Sequence, residues 1–317
     1  MFLRILLLSL LVPSVAFALP EICGNGLDDD SSGGDAACDF SFGDHTYPDE
    51  DRDGYVNSTS PEASDPTSYG FLGVDCDDSD DDLYPGIHTT TSCTGSNYKT
   101  CQTDGTYTSC QTGPLCERGT CYYVDPTSGN DTTGDGSFGS PWASMANLRT
   151  VVSPDSTPAN HVSIGANTAI YIMSGTLTGK YTKDVDDDSI FYLENVDGSS
   201  AASKNILAAY PGETVIFDPN CTSGDTCHGI KLQSSNNWQI SGNDIPLEVR
   251  DTYRQEGAGI EVYGPSSSSR GTGIDIFNVK VHGHQGDVTL GNTSGIYIAH
   301  TDDFSVHHAE VYDNGNY

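Results

Sequence analysis

A short phrase, glycine-isoleucine-x-aliphatic, recurs in the second half of the chain and restricts the possible folds. It occurs at residues 229–232 (GIKL), 259–262 (GIEV) and 295–298 (GIYI). The isoleucines are 30 and 36 residues apart, which is in the range of solenoid repeats. A single solenoid repeat cannot bury its own apolar face, so stable folding requires stacked neighbours. Each phrase is followed by a second apolar pair, which is Trp238 with Ile240, Ile274 with Ile276, or Phe304 with Val306.

Short apolar alternations around these phrases predict half-buried β-strands. They occupy residues 170–172, 206–210, 215–217 and 276–281, whereas residues 145–152 form the one short helical candidate. A β-sandwich also contains many short strands and is the alternative. The repeat spacing favours a parallel β-helix. We expect asparagine ladders at its turns, involving Asn236, Asn237 and Asn278.

The segment that opens this half carries a family resemblance. Residues 122–126 (YYVDP), 129–131 (GND), 134–137 (GDGS) and 140–145 (SPWASM) resemble the opening of many right-handed parallel β-helix proteins of the pectate-lyase-like superfamily. Two later phrases, at residues 171–177 (YIMSGTL) and 209–218 (AYPGETVIFD), resemble strands of the same superfamily.

The resemblance runs from Tyr122 to the end of the sequence and implies an all-β fold, a right-handed parallel β-helix. Residues 311–317 read as a strand and turn that enter a further coil, so we expect the helix to be truncated at its C-terminal end. The resemblance also implies polysaccharide lyase or glycoside hydrolase chemistry. A lyase needs a Lys or Arg base with calcium and a hydrolase needs two carboxylates, but no such set is identifiable from the sequence.

Alternating aspartates in the N-terminal part predict a calcium site. Asp49, Asp51 and Asp53 precede Gly54, and the backbone carbonyl of Tyr55 is a further candidate ligand. Ca²⁺ takes six to eight oxygen ligands, and a glycine at the sixth loop position permits the sharp turn. The twelfth position is Ser60 rather than glutamate, and no helical pattern flanks the loop, so this is not an EF-hand.

A second acidic run can complete the coordination. It supplies the candidate ligands Asp75, Asp77, Asp78 and Asp80. Together with residues 21–30 (EICGNGLDDD), these motifs resemble thrombospondin type 3 calcium repeats and the metal-binding repeats of large secreted bacterial proteins. That resemblance adds Asp28 and Asp30 to the candidates and ends near Pro85. The alternative is an acidic, disordered linker.

The first residues and the cysteines indicate export. Residues 1–18 combine Arg4, an apolar run and a small-x-small ending (AFA), as in a signal peptide. No later segment approaches the ~20 apolar residues needed to cross a membrane. Ten cysteines in an exported chain predict disulfides rather than zinc ligands. Cys221 and Cys227 are close enough to bridge one loop, and the other pairings stay open.

These observations divide the chain into a signal peptide (1–18), an acidic calcium-binding region (19–88), a Cys-rich linker module (89–121) and an incomplete β-helix domain (122–317). The net charge of −32 opposes binding to nucleic acid. Two functions remain in competition. One is a secreted calcium-binding protein that acts on or binds extracellular polysaccharide, and the other is a non-catalytic cell-surface or adhesion protein with a calcium-stabilised spacer and a β-helix stalk.

Histidines are the remaining candidates in the β-helix half. His282 and His284 alternate on a predicted strand and therefore share a face, and His300, His307 and His308 follow about one repeat later. A metal or proton-transfer site is one interpretation. Ordinary positions on a solvated face or in turns are the favoured one.

Overall fold

The computed structural model describes residues 55–57, 73–77, 84–95, 97–149, 160–179, 181–182, 188–220, 227–250, 257–286 and 293–316, which are nearly all strand, turn and loop. Two small strand pairs come first. Strand β1 (Tyr55–Asn57) pairs in parallel with β2 (Gly73–Asp75), and β3 (His88–Thr89) pairs antiparallel with β4 (Lys99–Thr100).

After the opening strand β5 (Thr120–Val124), strands recur in a fixed order along the chain. The first repeat contains β6 (Thr168–Ile172), β7 (Gly175–Thr178), β8 (Tyr181–Thr182) and β9 (Asp188–Glu194). The second contains β10 (Asn205–Ala209), β11 (Val215–Asp218) and β12 (Cys227–Gln233). The third contains β13 (Trp238–Ser241), β14 (Leu247–Arg250) and β15 (Gly257–Tyr263). Beyond them come β16 (Ile274–His282), β17 (Gln285–Gly286), β18 (Thr293–Ala299), β19 (Phe304–Tyr312) and β20 (Gly315–Asn316).

Equivalent strands of successive repeats pair in parallel and form three stacks. Stack A contains β5, β6, β10, β13 and the first halves of β16 and β19. Stack B contains β7, β11, β14 and the second halves of β16 and β19. Stack C contains β9, β12, β15 and β18. At the corner between stacks A and B, Asn278 and His308 occupy matching positions, each with φ of 46°.

The recurring phrase lies in stack C, and the pairing confirms its predicted spacing. Ile230 pairs with Ile260, and Ile260 with Ile296. Ile230 and Ile260 are fully buried in a core that runs through the interior of the repeats. Alternate residues of each strand enter this core because side chains of a strand point to opposite faces. The predicted strands at residues 170–172, 206–210, 215–217 and 276–281 are likewise confirmed.

The glycine of each phrase is required by packing. A Cβ on Gly229 would lie 2.4 Å from Cγ1 of Val249. The same approach recurs between Gly259 and Val281, at 2.5 Å, and between Gly295 and Val311, at 2.6 Å. Because real Cβ atoms do not approach other carbons this closely, stack C can lie against stack B only where the side chain is absent.

The segment between β5 and β6 covers one end of the core. Trp142 is 1% exposed, stacks on Tyr122 at 5.3 Å and donates its indole N–H to the carbonyl of Gly134. The carboxylate of Asp131 accepts hydrogen bonds from the backbone of Ala143 and Ser144. These contacts explain the spacing of the opening motif. Instead of a longer helix, the described part of this segment contains a 3₁₀ turn at Met145–Asn147.

The Cys-rich segment packs on the outer face of stack A. Leu115 is 1% exposed and belongs to a second apolar cluster with Tyr123, Tyr171 and Tyr210. The hydroxyl of Tyr123 donates to the carbonyl of Leu115, whose N–H donates to the hydroxyl of Tyr210. The segment is therefore anchored to the strands.

Three disulfides cross-link the Cys-rich segment. They join Cys76 to Cys101, Cys93 to Cys110, and Cys116 to Cys121. Cys227 is also disulfide-bonded, whereas Cys221 lies outside the described residues. Such cross-links are typical of proteins that fold in an oxidising compartment.

Candidate functional site

Two rows of outward-facing residues on stack A form the floor of a polar cavity. In one row, Gln239 of β13 pairs with Asp275 of β16, and Asp275 with Ser305 of β19. In the next row, Ser241 pairs with Phe277, and Phe277 with His307. The intervening residues point into the core, so the parallel register itself places these polar and aromatic side chains together.

The opposite wall is formed by the Cys-rich segment and by the residues that directly precede it. Residues 84–88 and Glu117 face the strand floor across a cavity of about 280 Å³. This wall is braced because Gly86 donates its N–H to the carbonyl of Cys101, and Cys101 donates its own to Ile87, both at 3.0 Å. The disulfide between Cys76 and Cys101 further restrains Cys101.

Asp275 is the carboxylate of the floor. Its Oδ2 lies 3.3 Å from Nζ of Lys204, and its Oδ1 lies 3.6 Å from Nε2 of His307 and accepts a hydrogen bond from Ser305. Burial acts to raise the pKa of Asp275, but the contacts with His307, Ser305 and Lys204 outweigh it and lower the pKa to about 2. The group is therefore ionised throughout the physiological pH range.

Glu117 is the carboxylate of the wall. Its Oε1 lies 3.2 Å from Nε2 of His88, and its Oε2 accepts a hydrogen bond of 3.0 Å from the hydroxyl of Tyr171. Partial burial acts to raise the pKa of Glu117, but the hydrogen bonds from His88 and Tyr171 hold it below its usual range. Burial and the neighbouring Glu117 raise the pKa of Tyr171, so this hydroxyl remains a donor. On its far side, Nδ1 of His88 lies 2.9 Å from the hydroxyl of Thr100.

Stacked aromatic rings border the cavity. Tyr84 lies between Tyr55, at 5.6 Å, and the imidazole of His308, at 4.1 Å, with both rings close to parallel to it. Phe277 stacks on the imidazole of His307 at 5.1 Å. Together these contacts connect β1 to the last strand of stack A.

The chemistry of the cavity suits binding better than proton donation by a carboxylic acid. A glycosidase acid needs a raised pKa to remain protonated near neutrality. Both Glu117 and Asp275 have lowered pKa values instead. As ionised groups they can only accept hydrogen bonds.

Only part of the predicted calcium site lies within the described residues. Tyr55 opens β1, Asp75 closes β2, and Asp77 follows as an exposed residue. Asp75 is 1% exposed, and its Oδ1 accepts the N–H of Cys76. The other predicted ligands lie outside the described residues, namely Asp28, Asp30, Asp49, Asp51, Asp53, Asp78 and Asp80.

Within the ranges that the structure describes, no three His, Cys, Asp or Glu side chains are arranged to hold a metal ion. The predicted histidines are dispersed. His282 lies 3.0 Å from Oε1 of Glu248 and stacks on Tyr312. Gly283, with φ of 75°, then turns the chain, and His284 is fully buried. The expectation that His282 and His284 share one face of a strand is therefore wrong, because the strand ends at His282.

The remaining histidines differ in their surroundings. His300 occupies a left-handed turn position, with φ of 50°, beside Tyr263. His307 and His308 adjoin the cavity, where His307 contacts Asp275 and His308 stacks on Tyr84. His307 and His308 therefore adjoin each other, as their sequence positions predict, whereas His300 lies apart from them.

A second charged cluster lies on stack C. Lys231, which is 8% exposed, lies 3.1 Å from Oε1 of Glu261 in the next repeat. Nδ1 of His228, which is 1% exposed, lies 3.3 Å from Oε2 of the same glutamate. Lys231 and Glu261 occupy the variable position of the recurring phrase and pair directly in register. The cluster joins adjacent repeats.

Four residues of the cavity are not among the candidates predicted from the sequence, namely Glu117, Asp275, His88 and Gln239. Asp275 had a detectable signal, since it is a charged residue at an outward position of an apolar alternation. Glu117 had none, because the Cys-rich segment has no regular period.

No protein-family model, curated protein or solved structure matches this chain. Within the described ranges, every helix is too short or too polar to cross a bilayer.

Proposed function

We propose that this is an exported, calcium-binding protein that binds extracellular polysaccharide or cell-surface glycan. In this proposal the three stacks form a right-handed parallel β-helix. The fixed strand order, the parallel pairing of equivalent strands and the opening motif around Trp142 support that architecture. The signal-peptide pattern and the described disulfides support secretion or display at the cell surface.

The observation that carries the proposal is the polar cavity on stack A. Small-molecule sites combine a concave shape, aromatic walls and a few fixed polar groups. The cavity has Tyr84 and Phe277 as aromatic walls, with Gln239 and Asp275 as fixed polar groups. Sugars present hydroxyl groups around a ring with an apolar face, so both features have a counterpart in a glycan.

Binding without cleavage is the form that we favour. The lowered pKa values of Glu117 and Asp275 leave no carboxylic acid to protonate a leaving group within the described cavity. This observation supports the adhesion function as the second candidate, in which glycan binding serves attachment. A lyase or hydrolase remains the proposal to test against it.

The acidic N-terminal region is proposed to hold Ca²⁺. Asp49, Asp51, Asp53 and Asp75 would supply carboxylate oxygens, and the cation would fix the loops before β1 and after β2. Because Tyr55 lines the cavity through its contact with Tyr84, calcium would also order one border of the glycan site.

The test uses the full chain, purified with calcium, against a panel of neutral and acidic polysaccharides. Retention in affinity electrophoresis measures binding, and the release of reducing or unsaturated ends measures cleavage. We expect retention without product. Product formation would establish an enzyme and refute the adhesion function, whereas no retention by any glycan would refute the proposal.

A further inference from the structure

We infer that the cavity on stack A selects neutral, hydroxyl-rich ligands, such as neutral sugar residues, over uronic acids and other anions. This inference rests on the proposed glycan binding and specifies its ligand class. It concerns the face formed by Gln239, Ser241, Asp275 and Phe277, opposite Glu117.

Charge is the first argument. The charged carboxylates that line the cavity are Glu117 and Asp275, and its described lining contains no lysine or arginine. Lys204 approaches Asp275 at 3.3 Å, but it lies outside that lining and is engaged by the carboxylate. An anionic ligand would therefore meet two carboxylates, while the nearby cations, Lys204 and Arg118, lie outside the lining and interact with those carboxylates. The juxtaposition of like charges disfavours the wrong ligand and so contributes to specificity.

The imidazoles that line the cavity contact its carboxylates. His88 contacts Glu117 through Nε2 and Thr100 through Nδ1. His307 contacts Asp275 through Nε2, and its Nδ1 lies 2.8 Å from Nδ1 of His308. Each imidazole that lines the cavity is thus directed at one of the two carboxylates.

Hydrogen-bonding capacity is the second argument. Ionised carboxylates accept but cannot donate, so their natural partners are donors such as hydroxyl groups. Gln239 and Ser241 add neutral groups that both donate and accept, and they lie within 3.2 Å of each other. A ligand with many hydroxyl groups can satisfy both kinds of partner, whereas a carboxylate can satisfy only the donors.

Size and shape are the third argument. A volume of about 280 Å³ corresponds to about nine water molecules at their share of liquid volume, which accommodates a ring with several hydroxyl groups. Tyr84 is covered on both faces by Tyr55 and His308, whereas Phe277 is held in place by stacking on His307. The fixed ring of Phe277 offers an apolar surface to a sugar without a large ordering cost.

The test compares neutral and uronic-acid oligosaccharides of equal length, by calorimetric titration of the full chain at neutral pH. We expect the neutral series to bind at least tenfold more tightly. Asp275→Asn and the near-isosteric Gln239→Leu should each weaken neutral binding about tenfold or more, and Asp275→Asn should also reduce the discrimination against uronic acids. Asp303→Asn, at an exposed turn outside the cavity, is the matched control and should bind like the parent chain.

The outcomes separate this inference from the proposed function. Tighter binding of uronic acids would overturn the selectivity and leave glycan binding intact. Failure of both series in the full chain would overturn both proposals. Unchanged affinity in Asp275→Asn and Gln239→Leu would overturn the assignment to this cavity. Melting temperatures of all variants identify any loss of binding that arises from unfolding, and Gln239→Leu provides the decisive case if Asp275→Asn is unstable.

Discussion

Substituting the glycine of one repeated phrase tests whether close packing between stacks specifies the fold. In Gly229→Ala, the new Cβ would lie 2.4 Å from Cγ1 of Val249 and 2.8 Å from the carbonyl oxygen of Gly259. Carbon atoms prefer separations of about 3.5–4.0 Å, so Val249 or the strand must move by about 1 Å. Gly229 does not have a positive φ, so the effect arises from packing alone.

The expected cost follows from known overpacking penalties. Such insertions destabilise by about 1–3 kcal/mol, against a gain of about 0.4–1 kcal/mol from the less flexible unfolded chain. We expect Gly229→Ala to lower the free energy of unfolding by about 1–2 kcal/mol. Gly139→Ala is the matched control, because its Cβ would meet nothing within 4 Å and its φ is also not positive. That variant should be neutral or slightly stabilised.

A double-mutant cycle sharpens the test. Val249→Ala removes two buried methyl groups and should cost about 2–3 kcal/mol by itself, because it leaves a cavity. The double variant, which also carries Gly229→Ala, should be destabilised by at least about 1 kcal/mol less than the sum of the two single variants, because the new methyl group fills space vacated by Val249. Urea denaturation followed by circular dichroism measures each step. Strict additivity, or equal stability of Gly229→Ala and Gly139→Ala, would refute the packing argument.

Three further predictions concern pH, disulfides and calcium. Burial lowers the pKa of His284 to about 4, so on acidification the unfolded state binds a proton near pH 6.5, before the folded state does. The contribution of neutral His284 to the free energy of unfolding is therefore fully present above pH 6.5 and should fall by about 3 kcal/mol by pH 4. Denaturation midpoints measured across this range should lose that slope in His284→Asn, and an unchanged slope would contradict the assignment. Replacing Cys93 and Cys110 by serine opens a disulfide with a sequence separation of 17 and should cost about 3 kcal/mol in thermal or urea unfolding, whereas an unaltered melting temperature would count against a structural role. Chelation of calcium should increase proteolysis within residues 21–86, and identical cleavage patterns with and without chelator would contradict calcium binding there.

The sequence was sufficient to predict several strands and the spacing of the repeated phrase, because both appear as periodic apolar residues. The spacing between Ile230, Ile260 and Ile296 is the pairing found in stack C. The reason for the preceding glycines was not accessible, since it depends on contacts with valines in another stack. The sharp turn at Gly283 likewise separated two histidines that simple alternation placed together.

The candidate site was much less predictable than the strands. Asp275 and Phe277 belong to a repeated strand, but Glu117, on the opposite wall of the cavity, comes from a segment that has no period and is cross-linked by disulfides. Spacing alone allowed many pairings of the cysteines in that segment, and only the folded chain distinguishes them. A site formed between a periodic and a non-periodic segment is therefore difficult to predict from periodicity in the sequence.

The constant register of stack A separates the parts of the chain that can change length from those that cannot. Ile206, Gln239, Asp275 and Ser305 face one another although the intervening segments differ in length, so the connecting loops absorb every difference. Insertions in such loops would leave the surface pattern intact. Deleting one residue within β13 before Gln239 would instead turn that side chain toward the core and expose an apolar one, because side chains alternate between faces. The surface of stack A can thus diversify by substitution at outward positions, while the loops diversify by length.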